Sequence, residues 1–465
     1  MASEPIAAFI EQARRQFGEK AVIVDATDVE PWLTDWRGRF HGQAQAILLP
    51  ASTEEVGQMV RLAAEHRVPL VPQGGNTSMV GGATPPADGS ALILSLRRMN
   101  RLRSIDVGMA VANAGMILAD LHERAGETDQ RFPLTLGARG SCTVGGLAAT
   151  NAGGTQVLKF GTMRSLVLGV EAVLPDGSIH DGLSGLKKDN RGYNFDQLLV
   201  GSEGTLGIIT AVALRLVPAV AARAVAWVGL ADPERALDLL RLMQSRTDRI
   251  EGFEIVPRDC LELVLQHIPG TRNPLEGSHD WHVLIEGTSE SAETDPAQLL
   301  QPLLAEALEQ HLIEDATLAS NEAQAEAFWR IRDSISEAER ATGASIAHDI
   351  SVPVADMPRF MTVTTAEVEA GFPGSKASAF GHLGDGNVHF HVRGDAVREH
   401  GAAITELVYD LVTLAGGSIS AEHGIGQMKL AELERLGPPA KLHALRAIKQ
   451  ALDPLGLLNP GKLIR

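Results

Sequence analysis

The N-terminal stretch repeats apolar residues with a helical period, so that Ile6, Phe9, Ile10, Ala13 and Phe17 share one face. Ala46-Ile47-Leu48-Leu49 reads as a short buried strand stopped by Pro50. Ser52-Thr53-Glu54-Glu55 then has the form of a capping box, and Val56, Met59, Val60 and Ala63 carry one helical face onward. Val68–Val71 is a second strand that runs directly into glycine-rich chain. Strand, helix, strand and glycine loop make an α/β opening. After Pro218 helical stretches and short strands alternate with ordinary glycine content, which puts a domain boundary near Val217–Val225. In this second half Asn321–Arg340 predicts one helix, capped by Asn321 with Gln324 at its third position. There is no internal repeat and no low-complexity tract.

Composition narrows the class. At about 150 residues per domain, 465 residues suggest two or three domains with an ordinary core. The formal charge of −17 argues against nucleic acid and anionic membrane faces as primary partners. Two cysteines 118 positions apart, Cys142 and Cys260, give neither a disulfide framework nor metal spacing. The first twenty residues carry Glu4, Glu11 and several arginines without a continuous apolar run, so no secretory signal is read there. The long uncharged runs Val68–Ala87 and Gly140–Leu158 are too rich in Gly, Asn, Thr or Pro to read as membrane spans. The expected location is the cytoplasm.

Glycine and histidine are unevenly placed. The 134 residues Gly74–Gly207 hold 23 of the 47 glycines, and five of the 15 histidines fall between His382 and His423. Three segments carry the glycine: 72–82 (Pro72, Gly74, Gly75, Asn76, Thr77, Ser78, Gly81, Gly82), 136–154 (Leu136, Gly137, Gly140, Ser141, Gly145, Gly146, Asn151, Gly153) and 201–210 (Glu203, Gly207, Ile208). Paired glycines present consecutive N–H groups to a pyrophosphate and let backbone approach a flat ring. For any one pair a tight turn is the commoner reading. Three segments in one domain favour a single extended phosphate-bearing ligand. A P-loop is absent, and no G-x-G-x-x-G follows a strand with an acidic residue at the usual distance.

Together with Lys188-Asp189-Asn190-Arg191-Gly192-Tyr193 and the tail Asp453–Lys462, these segments resemble the p-cresol methylhydroxylase-type FAD-binding domain of the vanillyl-alcohol oxidase superfamily. The resemblance runs from about His41 to Pro218. It implies an α+β fold: an N-terminal helical segment 1–40, a two-part FAD-binding domain 41–218, a ferredoxin-like cap or substrate domain 222–416, and a C-terminal segment 417–465 that returns to the flavin. It gives the first segment to the pyrophosphate, the second to ribityl and flavin, and main chain near Glu203–Ile208 to the adenine or ring system, with Asn459 of the tail also at the cofactor. Some relatives attach flavin to a histidine in the first segment. Here Asn76, Thr77 and Ser78 stand there, so FAD is expected to be held noncovalently.

The histidines have a physical reading of their own. Asp385-Gly386 between short flanks is a two-residue hairpin signal, which would face His382 directly against His389 with Cβ atoms about 5 Å apart. Such a pair is a two-point clamp for a divalent metal, and His391 lies on the same face. Glu422-His423 offers a third ligand and a base. Two His and one Glu with a vacant position form an open, zinc-type site, with Mn²⁺ as the alternative metal. The plainer reading is surface histidines on a hairpin and an ordinary loop pair. With the substrate α-hydroxyl and a carboxylate oxygen on the metal, the hydroxyl becomes more acidic, and a neutral His423 removes its proton while the α-hydride leaves for flavin N5.

These residues resemble the D-2-hydroxy-acid dehydrogenases, in the D-2-hydroxyglutarate, D-lactate and glycolate types. The resemblance makes His382, His389 and Glu422 the metal ligands and His423 the base. It also places Arg332, Ser336 and His391 at the substrate. In the D-2-hydroxyglutarate branch a Lys follows the Arg and the Thr to hold the distal carboxylate, and here that position is Ala347. The implied partners are a small 2-hydroxy acid and an acceptor protein or quinone, with a homodimer allowed. Two alternatives share the scaffold: a non-redox transferase, and an electron-transferring flavin subunit of a larger complex.

Overall fold

The computed structural model describes residues 4–186 and 188–465. The chain divides into two compact units. The first takes the chain up to Gly154, then Gly161–Pro218 and Glu422–Arg465, and the second takes Thr155–Phe160 and Ala219–Ala421. The second unit therefore runs to Ala421, where the sequence put its end at 416, and the N-terminal helical segment belongs to the first unit. The first three residues of that segment lie outside the described residues.

Two sheets build the first unit. Helix Glu4–Phe17 buries Ile6, Phe9 and Ala13, with Phe9 edge-on to His66 of helix Thr53–His66. Ser52 caps that second helix by accepting from Glu55 N, while Glu55 reaches back one residue beyond the expected position to accept from Ala51 N. The first sheet has the order Val22–Ile23, Ile47–Leu48, Leu92–Ser95, Leu70–Gln73, and its last three strands are parallel. The second is antiparallel, in the order Leu102–Asp106, Met109–Asn113, Ile208–Arg215, Val167–Val173, Ile179–Asp181. The tail closes the first sheet: Leu70 N donates to Leu457 O and Asn459 N to Leu70 O, each at 2.8 Å. Lys449 Nζ ties the tail to the third glycine segment by donating to Leu458 O and Thr205 O.

The middle glycine segment is not all loop. Val144–Thr150 is a short helix. A Cβ on Gly145 would stand 2.4 Å from Ala114 Cβ, so glycine here lets the helix seat on strand Met109–Asn113. Sequence pattern alone reads Gly-Gly as a turn, and this close helix–strand approach has no local signal.

The second unit is a seven-stranded antiparallel sheet in the order Asp315–Leu318, Ala222–Leu230, Trp281–Ser289, Ile250–Pro257, Ser375–His382, Asn387–Gly394, Ser345–Ser351. Trp227, Leu284, Val256 and Phe380 on one face pack with Cys260, Leu261 and Val264 of helix Arg258–His267 and with Phe328 and Ile331 of helix Glu322–Asp333. The helix expected over 321–340 breaks at Ser334, and Ile335–Arg340 forms a separate turn and a half. Its cap is as expected, with Asn321 accepting from Gln324 N. Among the described residues no helix is long and apolar enough to cross a membrane.

Candidate active site

A cavity of about 590 Å³ opens in the first unit, walled by all three glycine segments. Its lining includes Pro72, Gly74, Gly75, Asn76, Thr77, Ser78 and Gly82 from the first. The second supplies Leu136, Gly137, Gly140, Ser141, Gly145, Gly146 and Gly153, and the third Glu203, Gly207 and Ile208; Asn459 comes from the tail. A Cβ on Gly75 would lie 1.8 Å from Ser141 O, so the first two segments meet backbone to backbone there. Among the described residues the buried atoms Gln73 Oε1, Thr143 Oγ1 and Asn459 Oδ1 find no hydrogen-bond partner, and all three residues line this cavity. Unsatisfied buried polar atoms around an apolar, glycine-walled space fit a large polar cofactor. FAD meets this test.

Two residues expected at the cofactor are not on the wall. Gly81 (φ +68°) turns the chain, and its carbonyl accepts from Gln427 Nε2. Asn151 ends the helix Val144–Thr150 in a left-handed conformation (φ +51°), and its Oδ1 accepts from Thr162 and from Arg164 N. Its role is that of a helix cap. The wall also holds Gln73 and Thr143, which lie inside the first and second segments without being singled out there, and Trp36, which lies outside all three segments.

Glu422 and His423 open onto the same cavity. Both are half-buried, in a turn whose later N–H groups, at Ile425 and Gly426, donate to Glu203. The cavity therefore presents a carboxylate and an imidazole next to each other in sequence.

The histidine pair lies in the second unit, with a register that differs from the expected one. His382 faces Asn387, and His389 faces Phe380. The connection is four residues, 383–386, because Gly386 N and Asp385 N both turn back to His382 O. This shifts the pairing by two positions. An even slip leaves each side chain on its face, so His382 and His389 become diagonal neighbours with ring centroids 5.3 Å apart.

Glu254, from strand Ile250–Pro257, sits under the pair. His382 Nδ1 donates to Glu254 Oε1 at 2.6 Å, and Arg332 Nε donates to Glu254 Oε2 at 2.7 Å. Arg332 Nη2 stands 3.4 Å from His382 Nε2. A carboxylate on one imidazole nitrogen is how proteins orient a metal-binding histidine, and here Arg332 stands at the other nitrogen. His389 is half-buried, and loss of hydration first, then the charges of Arg332 and His382, push its pKa well below the ordinary value. It is therefore a neutral donor of the kind a metal requires. Nothing marked Glu254 in advance: it is one of two glutamates, with Glu251, in a strand whose other residues are apolar.

Burial alone would raise the Glu254 carboxyl, but His382 and Arg332, by charge and by hydrogen bonding, outweigh it and hold the pKa below the ordinary value. A folded-state pKa lowered in this way contributes stability above the ordinary glutamate value of about 4.3 that fades as pH falls below it. Glu254→Gln removes the negative charge that Arg332 and His382 share and is expected to lower stability by roughly 3–5 kcal/mol at neutral pH. The deficit should shrink in acid. Urea unfolding across pH measures both, and an undiminished difference at low pH would contradict the ion-pair account.

The substrate residues are not gathered as expected. Arg332 is nine-tenths buried on the Glu254 carboxylate rather than solvated. Ser336, beyond the break at Ser334, is exposed, so it does not share the Arg332 face. His391 Nδ1 pairs with the Glu339 carboxylate. Ala347 is the register partner of His391 on the neighbouring strand. The expected metal set is divided: His382 and His389 belong to the second unit, and Glu422 opens the segment that belongs to the first.

A glycine-walled cavity bordered by a carboxylate and an imidazole fits a flavoprotein, and the comparisons supply the class, a flavin-dependent oxidoreductase. Residues 44–182 match an FAD binding domain, and residues 220–463 match the C-terminal domain of FAD linked oxidases. Relatives include the mitochondrial D-2-hydroxyglutarate dehydrogenases of Arabidopsis thaliana (36% identical, over 96% of this chain and 80% of the plant protein) and Bos taurus (38%, over 95% and 81%). Among solved structures p-cresol methylhydroxylase shares the fold, with a TM-score of 0.75 at 15% identity over 99% of this chain and 97% of that one. The chain belongs to the FAD-linked oxidases, in the group of FAD-dependent 2-hydroxy-acid dehydrogenases.

The comparisons overturn the expected cytoplasmic location, since these relatives are named as mitochondrial enzymes.

Proposed function

We propose that the protein oxidises a D-2-hydroxy acid, of the D-2-hydroxyglutarate or D-lactate kind, to the 2-oxo acid, with noncovalent FAD and a divalent metal. The observation that carries this reading is that Glu422 and His423 open onto the cavity walled by the three glycine segments. Bound FAD supplies a two-electron acceptor, and a bound Zn²⁺ or Mn²⁺ supplies a Lewis acid for the hydroxyl. The chain's own residues do the rest. His382, His389 and Glu422 are the ligands assigned to the metal, and His423 removes the hydroxyl proton through its neutral imidazole. Backbone N–H groups of the first segment, with Thr77 and Ser78, are assigned to the pyrophosphate. An acceptor protein or quinone takes the electrons onward.

Two arginines beside the residues assigned to the substrate are already paired. Arg332 is paired with Glu254, and Arg393 with Asp259 and Glu339. Ala347 stands where a lysine would hold a second carboxylate. A monocarboxylate such as D-lactate should therefore compete well with a dicarboxylate. The test is a panel of D- and L-2-hydroxy acids scored by anaerobic bleaching of the flavin. D-acids should bleach it, with D-lactate within about tenfold of D-2-hydroxyglutarate in kcat/KM, a gap of about 1.4 kcal/mol. Bleaching by L-acids alone, or by none, would end this reading.

A further inference from the structure

Glu203 lies between Gly201 and Gly204 and has a positive φ of 53°, a conformation that costs free energy for any residue with a Cβ. Both glycines flanking it also take positive φ, so a glycine at 203 would suit the backbone better. What the position keeps is a carboxylate. That carboxylate is buried and accepts two backbone hydrogen bonds, Oε1 from Ile425 N and Oε2 from Gly426 N, each at 2.7 Å. Burial pushes its pKa up, against the pull of those two N–H groups and of Lys429 and Lys462.

The backbone of Glu203 is itself fixed. Its N–H donates to Ala149 O at the end of the cavity helix, and its carbonyl accepts from Asn459 Nδ2 at 2.7 Å. The turn it grips is the one that carries Glu422 and His423, and Gln427 N then donates to Val80 O in the first glycine segment. A buried carboxylate fork with charge-assisted bonds is stiffer than a turn held by water.

We propose that Glu203 is a positioning residue: its carboxylate holds the 422–426 turn against the cavity wall and so sets the aim of His423 without touching the substrate. This rests on the proposed role of His423. A base displaced by about 1 Å loses on the order of 100-fold in rate.

The test uses the holoenzyme with Glu203→Gln, which keeps the shape, and Glu203→Gly, which relieves the backbone and so protects the fold. Because Glu203 stands on the cavity wall, FAD content is measured first by dithionite reduction, and rates are compared per bound FAD. Flavin reduction by the D-2-hydroxy acid should fall about 30- to 100-fold in kcat with KM changed less than threefold. Hydrogen exchange at the amides of Ile425 and Gly426 should rise at least tenfold, while the rest of the first unit stays protected. Unchanged exchange at 425–426 overturns the clamp, and so does a reduction rate within twofold of the parent. Loss of FAD with full recovery of rate on adding it back assigns Glu203 to the cofactor instead. If no hydroxy acid reduces even the parent, the proposed function falls, and the exchange experiment still decides whether the carboxylate holds the turn.

Discussion

His423→Ala is expected to slow anaerobic flavin reduction by a D-2-hydroxy acid by about 10²- to 10⁴-fold while leaving FAD bound. That range is what a positioned general base contributes. His423 faces the cavity but belongs to none of its three glycine segments, so the cradle survives its loss. Two signatures separate a lost base from a disturbed pocket. The acid limb of the rate profile, where the imidazole would be charged, should vanish in the variant. The isotope effect on the α-hydrogen should remain, because the hydride still has to leave. An unchanged reduction rate would remove His423 as the base.

Removal of the proposed metal is expected to have the second large effect. Chelation should depress turnover at least about 10²-fold without releasing FAD, and Zn²⁺ or Mn²⁺ should restore it. His389→Ala should do the same beyond rescue. Since loss of hydration keeps His389 neutral, no proton has to be displaced there for a metal to bind, and affinity should hold down to mildly acidic pH. Glu254 orients His382 from beneath, so Glu254→Gln should weaken metal binding by about 10- to 100-fold even where the protein remains folded. Full turnover in metal-free protein would end the metal mechanism.

The glycine segments were legible because phosphate cradles use local chain chemistry: most of the residues read as cofactor-binding do line the cavity. Asn151 shows the limit of such reading. Next to Ala152-Gly153-Gly154 it looks like part of a loop, yet a left-handed Asn is equally a helix end, and only the fold decides. The hairpin shows another. Its face could be read from alternation, which an even slip preserves, whereas its register depends on turn geometry at 383–386 that Asp-Gly alone does not specify. Glu254 was invisible because its partners, Arg332 and His382, are 78 and 128 positions away. The break at Ser334 carries no Gly or Pro signal, and it separates a buried Arg332 from an exposed Ser336.

The first unit draws its last wall, with Glu422, His423 and Asn459, from chain made only after the 203 residues Ala219–Ala421. At about 5–20 residues per second, a ribosome takes roughly 10–40 s to cross that insert. Through that interval the strand at Leu70 has no Leu457–Asn459 beside it, and the cradle stays one side short. The inserted unit, nearly continuous in sequence, can finish folding in the meantime. The complete cavity wall therefore exists only after the inserted unit has been made.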